Sequence, residues 1–139
     1  MKNTILQPPS QRIKLKTQAE IIIQRTMTQL SGSNIHLISA QAEVNTVGDL
    51  QWLAQYMLLK CNRIVVLASQ CEDTNLIVAK STNIDHLYVD EVIYSISSRF
   101  GGEYSGNNLL MHGTIYQFGK IPEIIDHAVE SIVVARPSR

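Results

Sequence analysis

Two apolar runs constrain this chain more than anything else in it. Arg63-Ile-Val-Val-Leu-Ala-Ser69 is a continuous apolar stretch too short for a typical helix, and reads as a buried strand. Leu76-Ile-Val-Ala-Lys80 follows after Cys71-Glu-Asp-Thr-Asn75, a polar stretch that reads as a turn. So short a link returns the second strand antiparallel to the first. A buried hairpin of this kind needs further strands and helices to cover it, and the sequence supplies candidates on both sides.

Upstream, Ala19, Ile23, Met27 and Leu30 fall at helical spacing and predict a helix over 16–30, broken by Ser31-Gly32-Ser33-Asn34. Residues 35–44 predict a strand without a strongly polar face. Asn45 or Thr46 then caps a helix reaching about residue 60, with Asp49 in its first turn and Leu50, Leu53, Ala54 and Met57 as its buried stripe. Trp52, Tyr56 and Leu59 lie off that stripe and suggest a second packing surface. Cys61, just past this helix, is expected to be a small buried hydrophobe.

Downstream, Val89, Val92, Ile93, Ile96 and Phe100 predict a helix over 89–100, ended by Gly101-Gly102. Residues 101–108 read as a loop and 109–115 as a short strand. Gly119 and Pro122 bracket the start of a final helix, with Ile121, Ile124, Ile125, Ala128 and Ile132 on its buried side. The order of elements predicts an α/β (α+β) fold, a small mixed β-sheet with helices packed on it, preceded by an N-terminal helix.

A chain of 139 residues, 45% of them hydrophobic, fits one domain with a sizeable core. The division expected is a flexible basic arm over 1–15 and a single domain over 16–139. Twelve basic residues balance twelve acidic ones, so overall charge does not favour nucleic acid. The distribution is uneven: residues 1–31 carry Lys2, Arg12, Lys14, Lys16 and Arg25 against Glu20 alone, about +4. No apolar run approaches the roughly 18 residues of a membrane span, and Met1-Lys2-Asn3-Thr4 does not open a signal peptide. Cys61 and Cys71 form no metal-ligand spacing and read as reduced thiols of a cytoplasmic protein.

From the paired strands onward the chain resembles the C-terminal domain of alanyl-tRNA synthetases, the domain also attached to DHH-family phosphoesterases. The likeness is carried by Arg63-Ile-Val-Val-Leu-Ala-Ser69, Leu76-Ile-Val-Ala-Lys80, a polar link, an amphipathic helix, and Phe100-Gly101-Gly102-Glu103-Tyr104-Ser105-Gly106. Strand 35–44 and Val47-Gly-Asp-Leu-Gln-Trp-Leu-Ala54 extend it upstream, so that it covers roughly residues 30–134. The resemblance implies a module that binds tRNA near its elbow, the alanine-specific one in the first instance, and that contributes to dimers in some members. It implies no catalytic residue, cofactor or metal of its own. By the same likeness Gly101, Gly102, Tyr104, Ser105, Gly106 and Asn107 are the candidate RNA-binding loop.

That loop departs from the family pattern Gly-Gly-Lys-Gly-Gly-Gly-Arg-Pro-Asp. Glu103 stands for the lysine, Tyr104 and Ser105 for two glycines, Asn107 for the arginine. A glycine loop receives phosphate because its amides can be approached closely. Two side chains crowd that approach, and Glu103 repels phosphate, whose contacts dominate nucleic-acid affinity. Tyr104 reads either as a stacking surface for a base or as a ring covering a neighbouring element.

Other chemistry is not supported. His36, His86, His112 and His127 are scattered and none makes zinc spacing with a cysteine. Asp85-His86 is a short echo of a phosphoesterase motif and reads as a polar link. No Gly-x-Ser-x-Gly or phosphate-loop pattern occurs, and His112 reads as a packed or surface residue. Two functional readings follow. In one, an RNA-binding module contacts phosphates through Arg12, Lys14, Lys16 and Arg25, with Lys80, Arg99 and Lys120 on the body. In the other, RNA binding has been given up and the chain is a protein-interaction or oligomerisation module, a homodimer being the simplest form.

Overall fold

The computed structural model describes residues 9–85 and 87–135. Residues 1–8 of the expected arm, His86, and the tail 136–139 lie outside them. The elements are α1 (Pro9–Thr26), β1 (Thr28–Gln29), β2 (His36–Gln41), α2 (Val47–Met57), β3 (Arg63–Cys71), β4 (Asp73–Lys80), α3 (Val89–Phe100), β5 (Glu103–Gly106), β6 (Leu110–Ile115) and α4 (Ile121–Ala135). Six strands form one mixed sheet in the order β1-β2-β3-β4-β6-β5. Only β2 and β3 are parallel, joined by α2 as a crossover; every other neighbouring pair is antiparallel. The expected α+β fold is what forms.

The unbroken apolar runs of β3 and β4 follow from this arrangement. Successive side chains on a strand point to opposite faces. Ile64, Val66, Ala68, Leu76 and Val78 join one core, against α3 and α4. Val65, Leu67, Ile77 and Ala79 join the other, against α1 and α2. Strands covered on both faces have no solvent side on which to place polar residues.

Several boundaries differ from expectation, each for a local reason. α1 starts at Pro9, where proline's missing N–H costs a helix nothing, so Arg12 and Lys14 lie on a helix and not in an arm. It stops at Thr26, whose hydroxyl turns back onto the Ile22 carbonyl at 2.9 Å, and Thr28 and Gln29 leave to pair with Leu37 and His36. α2 begins as expected, with the Thr46 hydroxyl accepting from the Asp49 amide at 3.1 Å. It ends at Met57, short of residue 60. Cys61 therefore sits in the exposed connection to β3, which corrects the expectation that it is buried. Trp52 and Tyr56 do form a second surface: their rings stack 5.3 Å apart, and the Tyr56 hydroxyl donates to Glu20 on α1 at 2.6 Å. Leu59 is exposed and takes no part.

Candidate nucleic-acid interface

The expected glycine loop is a strand. Gly101 and Gly102, with φ of 73° and 108°, turn the chain out of α3, and residues 103–106 then pair with β6 as the sheet's edge. Tyr104 is half-buried in this hairpin. Its ring lies over Gly113, directly opposite it on β6, and its hydroxyl donates to the Gly101 carbonyl at 2.6 Å. Burial raises the pKa of its phenol. Asn107 closes the hairpin, its side-chain oxygen accepting from the Leu109 and Leu110 amides at 2.8 and 3.1 Å. The Asn108 oxygen accepts from the Val89 amide at 3.1 Å, and so caps α3 from a distant segment. Ser105 and Gly106 are exposed.

The other expected contacts do not converge on this hairpin. Arg12, Lys14 and Lys16 are exposed on α1, which packs on β2. At roughly 100° per residue, Lys14 and Lys16 point to opposite sides of the helix, and only Arg12 and Lys16 share a face. From β2 to β5 is four strand spacings, roughly 19 Å. Arg99 is closer, in the last turn of α3, with its guanidinium 5.5 Å from the Phe100 ring centre. Lys120 is partly exposed and faces Glu123 at 3.9 Å. Lys80 is no surface contact: it is 4% exposed, and its ammonium donates to the Leu87 carbonyl at 2.6 Å.

The sheet itself carries a feature that sequence reasoning missed. Among the described residues, α1 and α2 pack on β2, β3 and β4, and on β6 Leu110 packs against the same core. On that same side β6 presents His112 and Thr114, with Tyr116 just past its end, and β5 presents Ser105 and Glu103 opposite His112 and Thr114. The patch is anchored by Asn75, 3% exposed on β4. Asn75 donates to the Cys71 and Asp73 carbonyls at 3.2 and 3.0 Å. Its side-chain oxygen is then the acceptor facing His112 Nε2 at 2.9 Å and the Thr114 hydroxyl at 3.5 Å. His112 therefore carries its proton on Nε2, leaving Nδ1 as a lone-pair acceptor. Beside it the Glu103 charge, then slight desolvation, the Asp73 charge and a hydrogen bond to Glu103 hold the Tyr116 phenol's pKa above its ordinary value. The patch thus presents acceptors and hydroxyls, with no cation among the side chains that form it.

Burial lowers the His112 pKa below 6.5. The unfolded chain then binds the proton more readily than the folded one between the lowered value and about 6.5. This contribution to stability is complete above that window and is lost as pH falls through it. Thermal melts from about pH 7.5 to about pH 5 are expected to show a decline that the variant His112→Gln reduces; equal declines in both proteins would remove His112 as the cause.

A second pair was also missed. Ser95 on α3 lies 2.8 Å from His127 Nε2 on α4, and accepts from Ser131 at 3.2 Å. The distance suits a nucleophile and its base. Ser95 is mid-helix, however, where neighbouring amides are committed to helical carbonyls and offer no oxyanion site. The pair reads as interhelical packing, with Phe100 edge-on to the imidazole at 5.8 Å. Among the described residues no group of three or more His, Cys, Asp or Glu is placed to hold a metal, and no helix is long and apolar enough to cross a membrane.

The class defined by this geometry is a mixed six-stranded sheet between two helix pairs, closed at one edge by a glycine-led hairpin. No family model and no curated protein matches the sequence. Among solved structures, the C-Ala domain of Aquifex aeolicus alanyl-tRNA synthetase superposes with a TM-score of 0.64 at 22% identity, over 79% of this chain and 96% of that one. RecJ from Thermus thermophilus, in complex with Mg2+, superposes with a TM-score of 0.67 at 13% identity, over 92% of this chain but 18% of RecJ. A DHH domain from a member of a ribosomal-protein family gives a TM-score of 0.52 at 13% identity, over 90% of this chain and 31% of that one. The chain has the fold of the C-Ala domain, and the same fold recurs in the part of RecJ that it matches.

Proposed function

We propose that this chain is a non-catalytic RNA-binding module that takes tRNA, in the first instance the alanine-accepting species, in the cytoplasm. The observation that carries the reading is the superposition onto nearly the whole of a synthetase's C-Ala domain. Two sets of groups support it from separate places: the basic residues Arg12 and Lys16 on α1, and the hairpin Gly101, Gly102, Ser105, Gly106 with Arg99 beside it. A folded RNA is longer than the four strand spacings, roughly 19 Å, that separate β2 beneath α1 from β5, and phosphate contacts at both ends register it on the protein.

Fluorescence anisotropy with labelled tRNA tests the reading. Binding is expected to weaken steeply between about 50 and about 200 mM salt, and Arg12→Ala with Lys16→Ala to weaken it uniformly across RNA sequences. No salt-sensitive binding at about tens of micromolar overturns it. The acidic hairpin and the unpaired outer side of β5 favour a second reading, a protein-interaction module self-associating as a homodimer. Light scattering that finds only monomer at high concentration removes that one.

A further inference from the structure

We propose that the open β6–β5 face of the sheet is a base-reading platform selective for guanine, with Glu103, Ser105, His112 and Tyr116 as its contacts. The inference rests on the RNA-binding reading and gives that function a specificity. It starts from the side chains of His112, Thr114, Ser105 and Glu103, which among the described residues lie beyond the part of the sheet that α1 and α2 pack on. A sheet face left open and lined with polar side chains must be satisfied by water or by a partner that offers complementary groups.

The groups present select the partner. Phosphate is disfavoured, because the charges beside Tyr116 are the Glu103 and Asp73 carboxylates. Adjacent N–H donors are favoured, because Glu103 is an exposed carboxylate whose two oxygens keep acceptor capacity beyond the hydrogen bond from Tyr116. On its Watson–Crick edge guanine presents two neighbouring donors, N1–H and N2–H2. Adenine and cytosine place an acceptor beside their amino group, and uracil flanks its one N–H with two carbonyls. Each of those sets a lone pair against the carboxylate. The Ser105 hydroxyl, also exposed, has a proton to give to guanine O6, and His112 Nδ1 accepts one more donor. Tyr116, 61% exposed, offers its ring for stacking, as aromatics do for unstacked RNA bases. Asn75 fixes the imidazole so that the accepting nitrogen is preset.

NMR titration with guanosine, inosine, adenosine, cytidine and uridine 5′-monophosphates tests the proposal, read at the side-chain signals of His112 and Tyr116. Guanosine monophosphate is expected to give saturable shifts at least about tenfold tighter than the adenosine, cytidine and uridine compounds, with inosine, which lacks the N2 amino group, in between. Glu103→Gln, a change at an exposed position, is expected to lose about tenfold in the guanine preference. Equal response to all five nucleotides, or none, overturns the proposal. So does a lysine-rich peptide that shifts the same signals where guanosine monophosphate does not, which would assign the face to a protein partner. Salt-sensitive tRNA binding without guanine preference removes the platform and keeps the RNA module. Guanine preference without tRNA binding keeps the platform as a nucleotide site and removes the module.

Discussion

Gly113→Ala is expected to lower the melting temperature by roughly 5–10 °C, from about 2–3 kcal/mol of overpacking. A Cβ built on Gly113 would run into the Tyr104 ring, overlapping two of its edge carbons. Neither partner has room to retreat. Gly113 is in the middle of β6, paired to Leu76 on one side and to Tyr104 on the other, so its backbone is fixed by two ladders. Tyr104 is held at its far end by the hydrogen bond to the Gly101 carbonyl. Swinging the ring out would break that bond and expose the half-buried ring.

The cause can be isolated with a double-mutant cycle. Tyr104→Ala alone loses the ring's burial and its hydrogen bond, and is itself destabilising. In the Gly113→Ala background the same change removes the clash, so the double variant is expected to be more stable than the sum of the single losses predicts, by about 1–2 kcal/mol of coupling. Additive losses in thermal melts would mean that the ring is not what Gly113 accommodates.

This pairing also explains why the hairpin was hard to read in the sequence. Gly-Gly-Glu-Tyr-Ser-Gly-Asn-Asn has the composition of a loop, and only Tyr104 in it has a propensity that favours a strand. Its strand character comes from β6 and from a tyrosine opposite a glycine nine residues later in the chain. β1 was missed for the same reason: Thr28 and Gln29 are strand only because Leu37 and His36 are beside them. Elements whose signal is local and periodic were read correctly. α3 is Val89–Phe100 as expected, and Ile121, Ile124, Ala128 and Ile132 are the buried side of α4. The boundary set by capping was legible at Thr46; that at Thr26, where Thr28 and Gln29 leave to pair with β2, was not. At the candidate site, Glu103 read in the sequence as a lost cation and an anion that repels phosphate. Its placement beside Tyr116, and that of His112 against Asn75, depend on strand register across as many as 37 residues, which no local pattern encodes.

Asn75 is where the fold and the open face meet, and its substitution is expected to damage both. Asn75→Ala should destabilise the chain by about 3 kcal/mol, because several polar groups lose their partner at once. The Cys71 and Asp73 carbonyls lose a shared donor, and His112 Nε2–H and the Thr114 hydroxyl lose their acceptor. Each such group left unsatisfied where water is excluded costs about 1–3 kcal/mol, and partial hydration at the exposed side keeps the total below the full sum. Asn75→Asp is nearly the same size and still accepts from His112, yet its second oxygen replaces an amide that donates to two carbonyls. Near neutral pH this sets a buried carboxylate against them, so the aspartate is expected to be less stable than the alanine variant there. Its pKa is raised above the unfolded value, so the folded chain takes up a proton that the unfolded one releases. Stability is then greatest below the unfolded pKa of about 3.9 and is lost as pH rises through the folded value. Denaturant unfolding at several pH values reads this directly: the aspartate variant should gain relative to Asn75→Ala on acidification. Parallel pH profiles for the two variants would show that the two carbonyls do not depend on Asn75, and the preset His112 acceptor would lose its anchor.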